Sequence, residues 1–189
     1  MNTYQWISVI LTGLAYIPLG HHILSGKAKQ NLATWVLWVI LDAIVAGSIL
    51  AQHGNFQLPL FYVFGGTCIV LCIAKMKIFE WTRYETFIAV LVFACMYGWW
   101  VSGPWFATIF SSLAVAVATW PQFGDVWEDP ADTPIVAYAG FGIADIFSVL
   151  GGKAWTVEER FYPIVCICLC AVIVILSMRK FYRSESPSY

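Results

Sequence analysis

Seven apolar stretches, each close to the length of a membrane-spanning helix, follow one another along the chain and constrain its fold more than any other feature. A helix needs about 20 apolar residues to cross the hydrocarbon core of a bilayer. The chain has 189 residues, of which 60% are hydrophobic and 11% charged, and its mean hydropathy is +0.76. The sequence therefore predicts an all-α membrane protein with seven transmembrane helices, over residues 4–24, 32–51, 58–78, 84–101, 104–122, 134–151 and 158–180.

Two aspartates lie in the middle of apolar stretches. Asp42 and Asp145 each follow a proline by 24 residues, and these prolines are Pro18 and Pro121. An acidic side chain at mid-membrane costs about 2.5–3.5 kcal/mol on insertion scales, and such residues usually mark solute or proton pathways. The alternative is that each aspartate only forms a hydrogen bond with a neighbouring helix.

The equal spacing indicates an internal repeat. A shift of 103 residues aligns a proline, two aromatic residues and an acid in each half of the chain: Pro18 with Pro121, Trp35 with Tyr138, Trp38 with Phe141, and Asp42 with Asp145. Repeats of this kind are typical of small transporters. The predicted organisation is a three-helix repeat over 1–80, a linker helix over 81–103, a second repeat over 104–183 and a disordered tail over 184–189. An odd number of linker helices makes the two three-helix bundles parallel.

Aromatic residues accompany each acid on one helix face. Trp35, Trp38 and Asp42 have the spacing i, i+3, i+7, which places them on one side of a helix. The second repeat has the same spacing, and two such faces would enclose an aromatic cavity with two acids. Two carboxyl groups in one poorly hydrated site compete for ionisation, so they are also candidates for proton coupling. The predicted substrate-binding residues are Trp35, Trp38, Asp42, Tyr138, Phe141 and Asp145, although the aromatic residues fit simple packing equally well.

The two prolines predict a pair of hinges. Proline lacks a backbone donor and kinks a helix, so Pro18 and Pro121 are candidates for gate hinges, or else they simply end their helices. Gln122 is grouped with them because its amide can bind a freed carbonyl. His21 and His22 lie at a predicted helix end, where an interfacial position is the simpler interpretation.

Other function classes lack their sequence signals. The net charge of −1 supplies no basic patch for nucleic acid. The six cysteines fall in apolar runs, where cysteine behaves as a small hydrophobic residue, and no histidine or loop spacing indicates a metal site. There is no nucleophile–histidine–acid set and no phosphate loop. We therefore expect no enzyme activity, no cofactor and no metal.

The distribution of Lys and Arg predicts the orientation in the membrane. Eight of the ten basic residues fall on the side that follows predicted helices 1, 3, 5 and 7, and only Lys153 and Arg160 fall on the other side. Basic residues favour the cytoplasmic side. The N-terminus is expected outside and the C-terminus in the cytoplasm, in a plasma (inner) membrane. An acidic stretch over 125–132 is expected to be a loop on the cytoplasmic side.

Two short motifs resemble those of the PQ-loop superfamily, which includes the SWEET sugar transporters, the cystinosin-like lysosomal amino-acid transporters and the KDEL receptor. Trp120-Pro121-Gln122 matches the Pro-Gln dipeptide, and Trp38 followed by Asp42 is similar to the family's W-x-x-G-D. The resemblance covers essentially the whole chain. It implies seven helices in a 3+1+3 layout with the N-terminus outside.

The chain also departs from the family pattern. Pro18 is followed by Leu19 rather than Gln, and Leu41 and Ala144 replace the glycine before each acid. The asparagines that SWEET-type sugar sites carry in the third helix of each repeat are missing, because the three asparagines fall outside the predicted helix interiors. The two acids are more similar to those of the proton-coupled amino-acid branch.

The favoured hypothesis is a transporter that moves a small polar solute, such as an amino acid, a sugar or a vitamin-like compound, by alternating access. Proton coupling through Asp42 and Asp145 is an option within it. The alternative is a membrane receptor or sorting protein that binds a ligand without net transport, and a purely structural subunit is a third. Both repeats lie in one chain, so a pathway needs no second subunit, and the sequence leaves homo-oligomerisation open.

Overall fold

The fold consists of apolar helices joined by short connections. A computed structural model describes residues 1–26, 31–76, 79, 81–130 and 133–183, and within these ranges it contains helices and no strand. A five-residue π-helical turn, Val157–Phe161, leads into the last helix. The α-helices are α1 Thr3–Leu24, α2 Leu32–Ala51, α3 Gln57–Met76, α4 Arg83–Ser102, α5 Pro104–Ala118, α6 Trp120–Glu128, α7 Ile135–Gly151 and α8 Tyr162–Arg183.

Capping side chains explain where several helices begin. The first turn of a helix has backbone N–H groups without helical partners, which polar side chains satisfy. Asn2 forms a capping box with Gln5 at the start of α1, and Thr82 does the same with Glu85 at α4. The side chain of Asn31 accepts a hydrogen bond from the backbone of Ala33 at the start of α2. These caps place three helix starts within one residue of the predicted bounds.

The helices have the length and composition of membrane spans. Six segments are long and apolar enough to cross a bilayer, whereas Ile135–Gly151 is apolar but shorter. Large apolar side chains cover the outside of the protein, as at Phe93 and Trp100, which are 70% and 85% exposed. The prediction of an all-α chain is confirmed, and these surfaces fit contact with lipid. The six long segments are Thr3–Leu24, Leu32–Ala51, Gln57–Met76, Arg83–Ser102, Pro104–Glu128 and Val157–Lys180.

Six helices form a closed ring of contacts. Helix α1 packs against α3 and α7, α3 packs against α2, α2 packs against α5, α5 packs against α8, and α8 packs against α7. Helix α4 lies outside this ring, on α5 and α2. The largest buried apolar cluster lies among α1, α2, α3, α6, α7 and α8, and a second lies among α2, α4 and α5. Both acids are on helices of the ring.

Hydrogen bonds between the helix ends define two ends of the molecule. Asn2 binds the carbonyl of Gly151, and Gln52 binds that of Pro104, so the start of α1 lies with the ends of α2 and α7 and the start of α5. We call this the Asn2 end. At the other end, which we call the Asn31 end, Asn31 donates to Glu85.

The predicted acidic loop is wrong over its first four residues, 125–128. Helix α6 continues to Glu128, so Asp125 and Glu128 are helical. Proline is favoured in the first turn of a helix, where its missing N–H has no partner to lose. Pro121 occupies this place in α6 and therefore starts a helix instead of ending one.

Some predicted features lie outside the described residues. They are the tail over 184–189, Asp132 of the acidic stretch, and three of the basic residues that entered the orientation argument, Lys27, Lys29 and Lys77.

Candidate functional site

Each mid-helix aspartate accepts a hydrogen bond from a tyrosine of the other half of the chain. Tyr162 of α8 donates to Oδ1 of Asp42 at 2.7 Å, and Tyr62 of α3 donates to Oδ1 of Asp145 at 2.9 Å. The rings of the two tyrosines pack edge to face, with centroids 6.1 Å apart. The two acids are therefore joined through a pair of tyrosines at the centre of the ring of helices.

The two acids have different surroundings. Asp145 is fully buried, and its second carboxyl oxygen lies 3.9 Å from the thiol sulfur of Cys170. Asp42 is only partly buried and lines a cavity. Among the described residues, none donates a hydrogen bond to its Oδ2. Asp42 can therefore reach a solute, whereas Asp145 lies behind the cavity wall.

The cavity has a volume of about 110 Å³ and is bordered by α1, α2, α3, α5, α7 and α8. A single ordered water needs roughly 10–15 Å³ on this measure, so there is room for several waters or one small solute. Most of the lining lies between mid-depth and the Asn31 end. No Lys, Arg or His is among the described residues that line it. Seven aromatic side chains do: Tyr16, Trp35, Trp38, Tyr62, Tyr138, Phe141 and Tyr162.

The aromatic rings contact one another around the cavity. The rings of Tyr16 and Phe141 are 4.8 Å apart between centroids, and those of Trp35 and Trp38 are 5.1 Å apart, both in edge-to-face arrangements. Such pairs add to the energy of burial and hold the rings in place. A Cβ at Gly65 would lie only 2.0 Å from the ring of Tyr16, so glycine allows α1 and α3 to approach closely.

The predicted i, i+3, i+7 faces meet at the cavity. Trp35, Trp38 and Asp42 line it from α2, and Tyr138 and Phe141 line it from α7. The structure therefore brings five of the six predicted binding residues to one cavity. The sixth, Asp145, contacts the cavity only through Tyr62 and Cys170.

The two prolines have different local structures. Helix α1 runs through Pro18 without a break, whereas α5 ends at Ala118 and α6 begins next to Pro121. Because Pro121 has no N–H, the carbonyl of Val117 loses its helical donor. The hydroxyl of Tyr84 from α4 donates to this carbonyl at 2.6 Å.

Two further residues surround the break between α5 and α6. The indole Nε1 of Trp38 donates to the carbonyl of Ala118 at 3.0 Å. Trp38 therefore joins the cavity wall to the break. Gln122, the third residue of the predicted hinge, is buried in the first turn of α6.

A buried polar network connects helices at the Asn2 end. Gln5 donates to Oδ1 of Asn55 at 3.1 Å, and Asn55 donates to the carbonyl and hydroxyl of Ser148 at 3.0 and 3.2 Å. All three side chains are buried. The network ties α1 and the start of α3 to α7. We call these three residues the Asn55 network.

Three residues at the same end connect α2 to α5 in an equivalent way. The hydroxyls of Ser48 and Thr108 are 2.9 Å apart, and Gln52 donates to Thr108 at 2.8 Å. The Asn2 end is thus closed by polar side chains, while the cavity extends toward the Asn31 end.

Sequence reasoning did not identify the tyrosines that complete the site. Tyr62 and Tyr162 occupy similar places in the third helix of each half but are 100 residues apart, so the alignment at a shift of 103 does not pair them. Tyr16 and Tyr84 are single hydroxyls in apolar helices without a repeat partner. An acid in the middle of an apolar stretch can be recognised in the sequence. The tyrosines that donate to the acids cannot, because the partner of each hydroxyl depends on how the helices pack.

His21 and His22 lie in the last turn of α1 and are not among the described residues that line the cavity. Their interfacial position stays a prediction. Among the residues that the structure describes, no cluster of His, Cys, Asp and Glu is arranged to hold a metal ion.

Comparison with protein-family models, with curated proteins and with solved structures finds no match to this chain. Its function is therefore argued from the site itself.

A double-mutant cycle tests the role of Tyr84. Tyr84→Phe removes the donor to the Val117 carbonyl, and we expect the free energy of unfolding to fall by about 0.5–1.5 kcal/mol. Pro121→Ala supplies a backbone N–H four residues after Val117, so Tyr84→Phe should cost less in that background. Unfolding by SDS in mixed micelles measures all four proteins. If Tyr84→Phe lowers the free energy of unfolding equally with and without Pro121→Ala, Tyr84 does not compensate for the donor that Pro121 lacks.

A matched pair of substitutions tests the difference between the two acids. Tyr62→Phe deprives the fully buried Asp145 of a donor, which should lower the free energy of unfolding by about 1–3 kcal/mol. Tyr162→Phe makes the same change beside Asp42, where water in the cavity can replace the hydroxyl, so the expected loss is below about 1 kcal/mol. The same unfolding assay applies. A larger loss of unfolding free energy for Tyr162→Phe than for Tyr62→Phe would show that Asp42 is the less hydrated of the two acids.

Proposed function

We propose that this protein is a transporter that moves a small polar solute across the membrane by alternating access. The single observation that supports it most is the cavity, which contains a carboxylate and seven aromatic rings among membrane-spanning helices. A carboxylate in such a place is costly and is rarely kept without a solute or a proton to bind. In the proposal, α1–α3 form one three-helix bundle, and α5 with its continuation α6, α7 and α8 form a second, parallel bundle of three membrane spans. Helix α4 is the linker between them.

The crossing hydrogen bonds support a means of coupling movement to protons. Tyr62 and Tyr162 each bind an acid of the other bundle, so separation of the bundles must stretch both bonds. A hydrogen bond to a carboxylate is stronger than one to a neutral carboxyl group. Protonation of Asp42 or Asp145 would therefore weaken the contact between the bundles and favour their rearrangement.

The two ends of the molecule support a gate at the Asn2 end. The Asn55 network closes this end, and the cavity lies toward the other. To reach the cavity from the Asn2 end, a solute requires these hydrogen bonds to break. With the orientation that the basic residues predict, the described state is closed on the outside.

The hinge in this proposal is the break at Pro121 rather than a symmetric pair of prolines. Helix α5 is interrupted there, and Trp38 of the cavity wall binds the last carbonyl of α5. A movement of Trp38 in the cavity wall would therefore act directly on the helix break, through its hydrogen bond to the carbonyl of Ala118. Trp120-Pro121-Gln122 is also the motif on which the resemblance to PQ-loop proteins depends, and membership of that superfamily is part of the proposal.

Uptake by proteoliposomes tests the function. A radiolabelled panel of amino acids, sugars, vitamins and amines is offered with and without an inward proton gradient. We expect at least one compound to accumulate when the gradient is present, and we expect Asp42→Asn and Asp145→Asn each to reduce this uptake at least about tenfold, because each removes a coupling acid. Glu128→Gln, which changes an exposed acid of α6, is the matched control and should transport normally.

Two outcomes would contradict the proposal. Normal uptake by the double variant Asp42→Asn with Asp145→Asn would remove the acids from the mechanism. Saturable binding of a compound by folded protein, with no uptake and no counterflow, would favour the receptor alternative.

A further inference from the structure

The cavity combines an acidic side chain with a described lining in which no side chain is basic. Asp42 presents an oxygen to which no described residue donates, and the second acid lies one tyrosine away. No Lys, Arg or His is among the described lining residues. An anionic solute would meet a carboxylate and no counter-charge. A neutral solute would leave that carboxylate without a cationic partner.

Most polar side chains of the cavity wall already form hydrogen bonds within the protein. Tyr162 and Tyr62 donate to the two acids, Tyr16 donates to the carbonyl of Tyr62, and Trp38 donates to the carbonyl of Ala118. The hydroxyl of Thr119 donates to Val115. A sugar needs several donors and acceptors from its site, and this wall has few to offer.

Aromatic rings attract positive charge. A cation over the face of Trp or Tyr, within about 6 Å of the ring centre, interacts with the negative face of the π system, and the interaction is stronger where water is excluded. Trp35 and Trp38 lie on the same helix face as Asp42, with their rings inclined at 65° to each other. Tyr16 and Phe141 form a second edge-to-face pair, inclined at 68°.

We infer that the solute is a small organic cation, an amine or quaternary ammonium with apolar substituents on nitrogen, whose positive centre lies beside Asp42 and among the aromatic rings. This inference rests on the proposed function, but the property that it concerns is binding and not transport. Asp42 supplies the opposite charge, the rings contact the substituents, and the cavity of about 110 Å³ restricts the solute to a small one. Asp145, which does not face the cavity, is left for the proton.

Two probes of the same shape separate charge from size. Choline and its uncharged carbon analogue, 3,3-dimethyl-1-butanol, are titrated against the full chain in lipid nanodiscs by calorimetry. Choline should bind saturably and at least about tenfold more tightly than the analogue, because only choline carries the charge that Asp42 and the rings recognise. Asp42→Asn should reduce this preference at least about tenfold, while Glu128→Gln leaves it unchanged.

Circular dichroism and thermal unfolding verify that Asp42→Asn is folded. Trp38→Tyr keeps an aromatic face and should retain much of the preference for choline over its uncharged analogue. Equal binding of the two probes, no saturable choline binding, or a preference that survives Asp42→Asn would each overturn the inference.

The inference and the proposed function fail separately. Choline binding without choline counterflow would support the cation site and contradict the transporter. Uptake of a neutral or anionic compound that choline does not inhibit would support the transporter and overturn the cation site.

Discussion

A carboxyl group in the middle of an apolar helix needs a hydrogen-bond donor, and in this protein the donor comes from a helix in the other half of the chain. Tyr162 donates to Asp42 and Tyr62 donates to Asp145, so one pair of packed tyrosines supplies both hydrogen bonds. Because donor and acceptor are far apart in sequence, these bonds fix how the two halves meet. The cavity forms where they meet, and the remaining aromatic rings pack around it.

Residues that the sequence alignment pairs have different surroundings in the two halves of the chain. Asp42 reaches the cavity while Asp145 is sealed behind it, and α1 passes through Pro18 while the chain breaks at Pro121. A break costs backbone hydrogen bonds, which Tyr84 and Trp38 replace. In the inferred cation site this difference assigns Asp42 to the solute and Asp145 to the proton. The proposed hinge lies in the second half of the chain.

The length of the apolar stretches and the cost of an acid at mid-membrane were sufficient to predict the long apolar helices and to single out Asp42 and Asp145. The bounds of α1 and α2 agree with prediction because Asn2 and Asn31 cap them. Helix α6 was missed because it is short and amphipathic rather than apolar throughout, and because a proline can mark either the end or the start of a helix. The donors Tyr62, Tyr162 and Tyr84 were missed because a hydroxyl on an apolar helix has no local pattern, and only helix packing decides what it meets. The Asn55 network depends in the same way on three distant segments.

Alternating access requires that the cavity can also be reached from the Asn2 end, and the accessibility of Cys166 to a labelling reagent measures whether it can. Cys166 lines the cavity and is buried, and replacing the other five cysteines with Ala leaves it as the single target for a membrane-impermeant maleimide. An N-terminal tag identifies the Asn2 face. We expect Asn55→Ala to raise the labelling rate from that face at least about tenfold, because it removes the Asn55 network, while His53→Asn in the same loop has no effect. Labelling from the Asn2 face that stays at the background level in Asn55→Ala, at every pH and with every transported solute, would contradict alternating access.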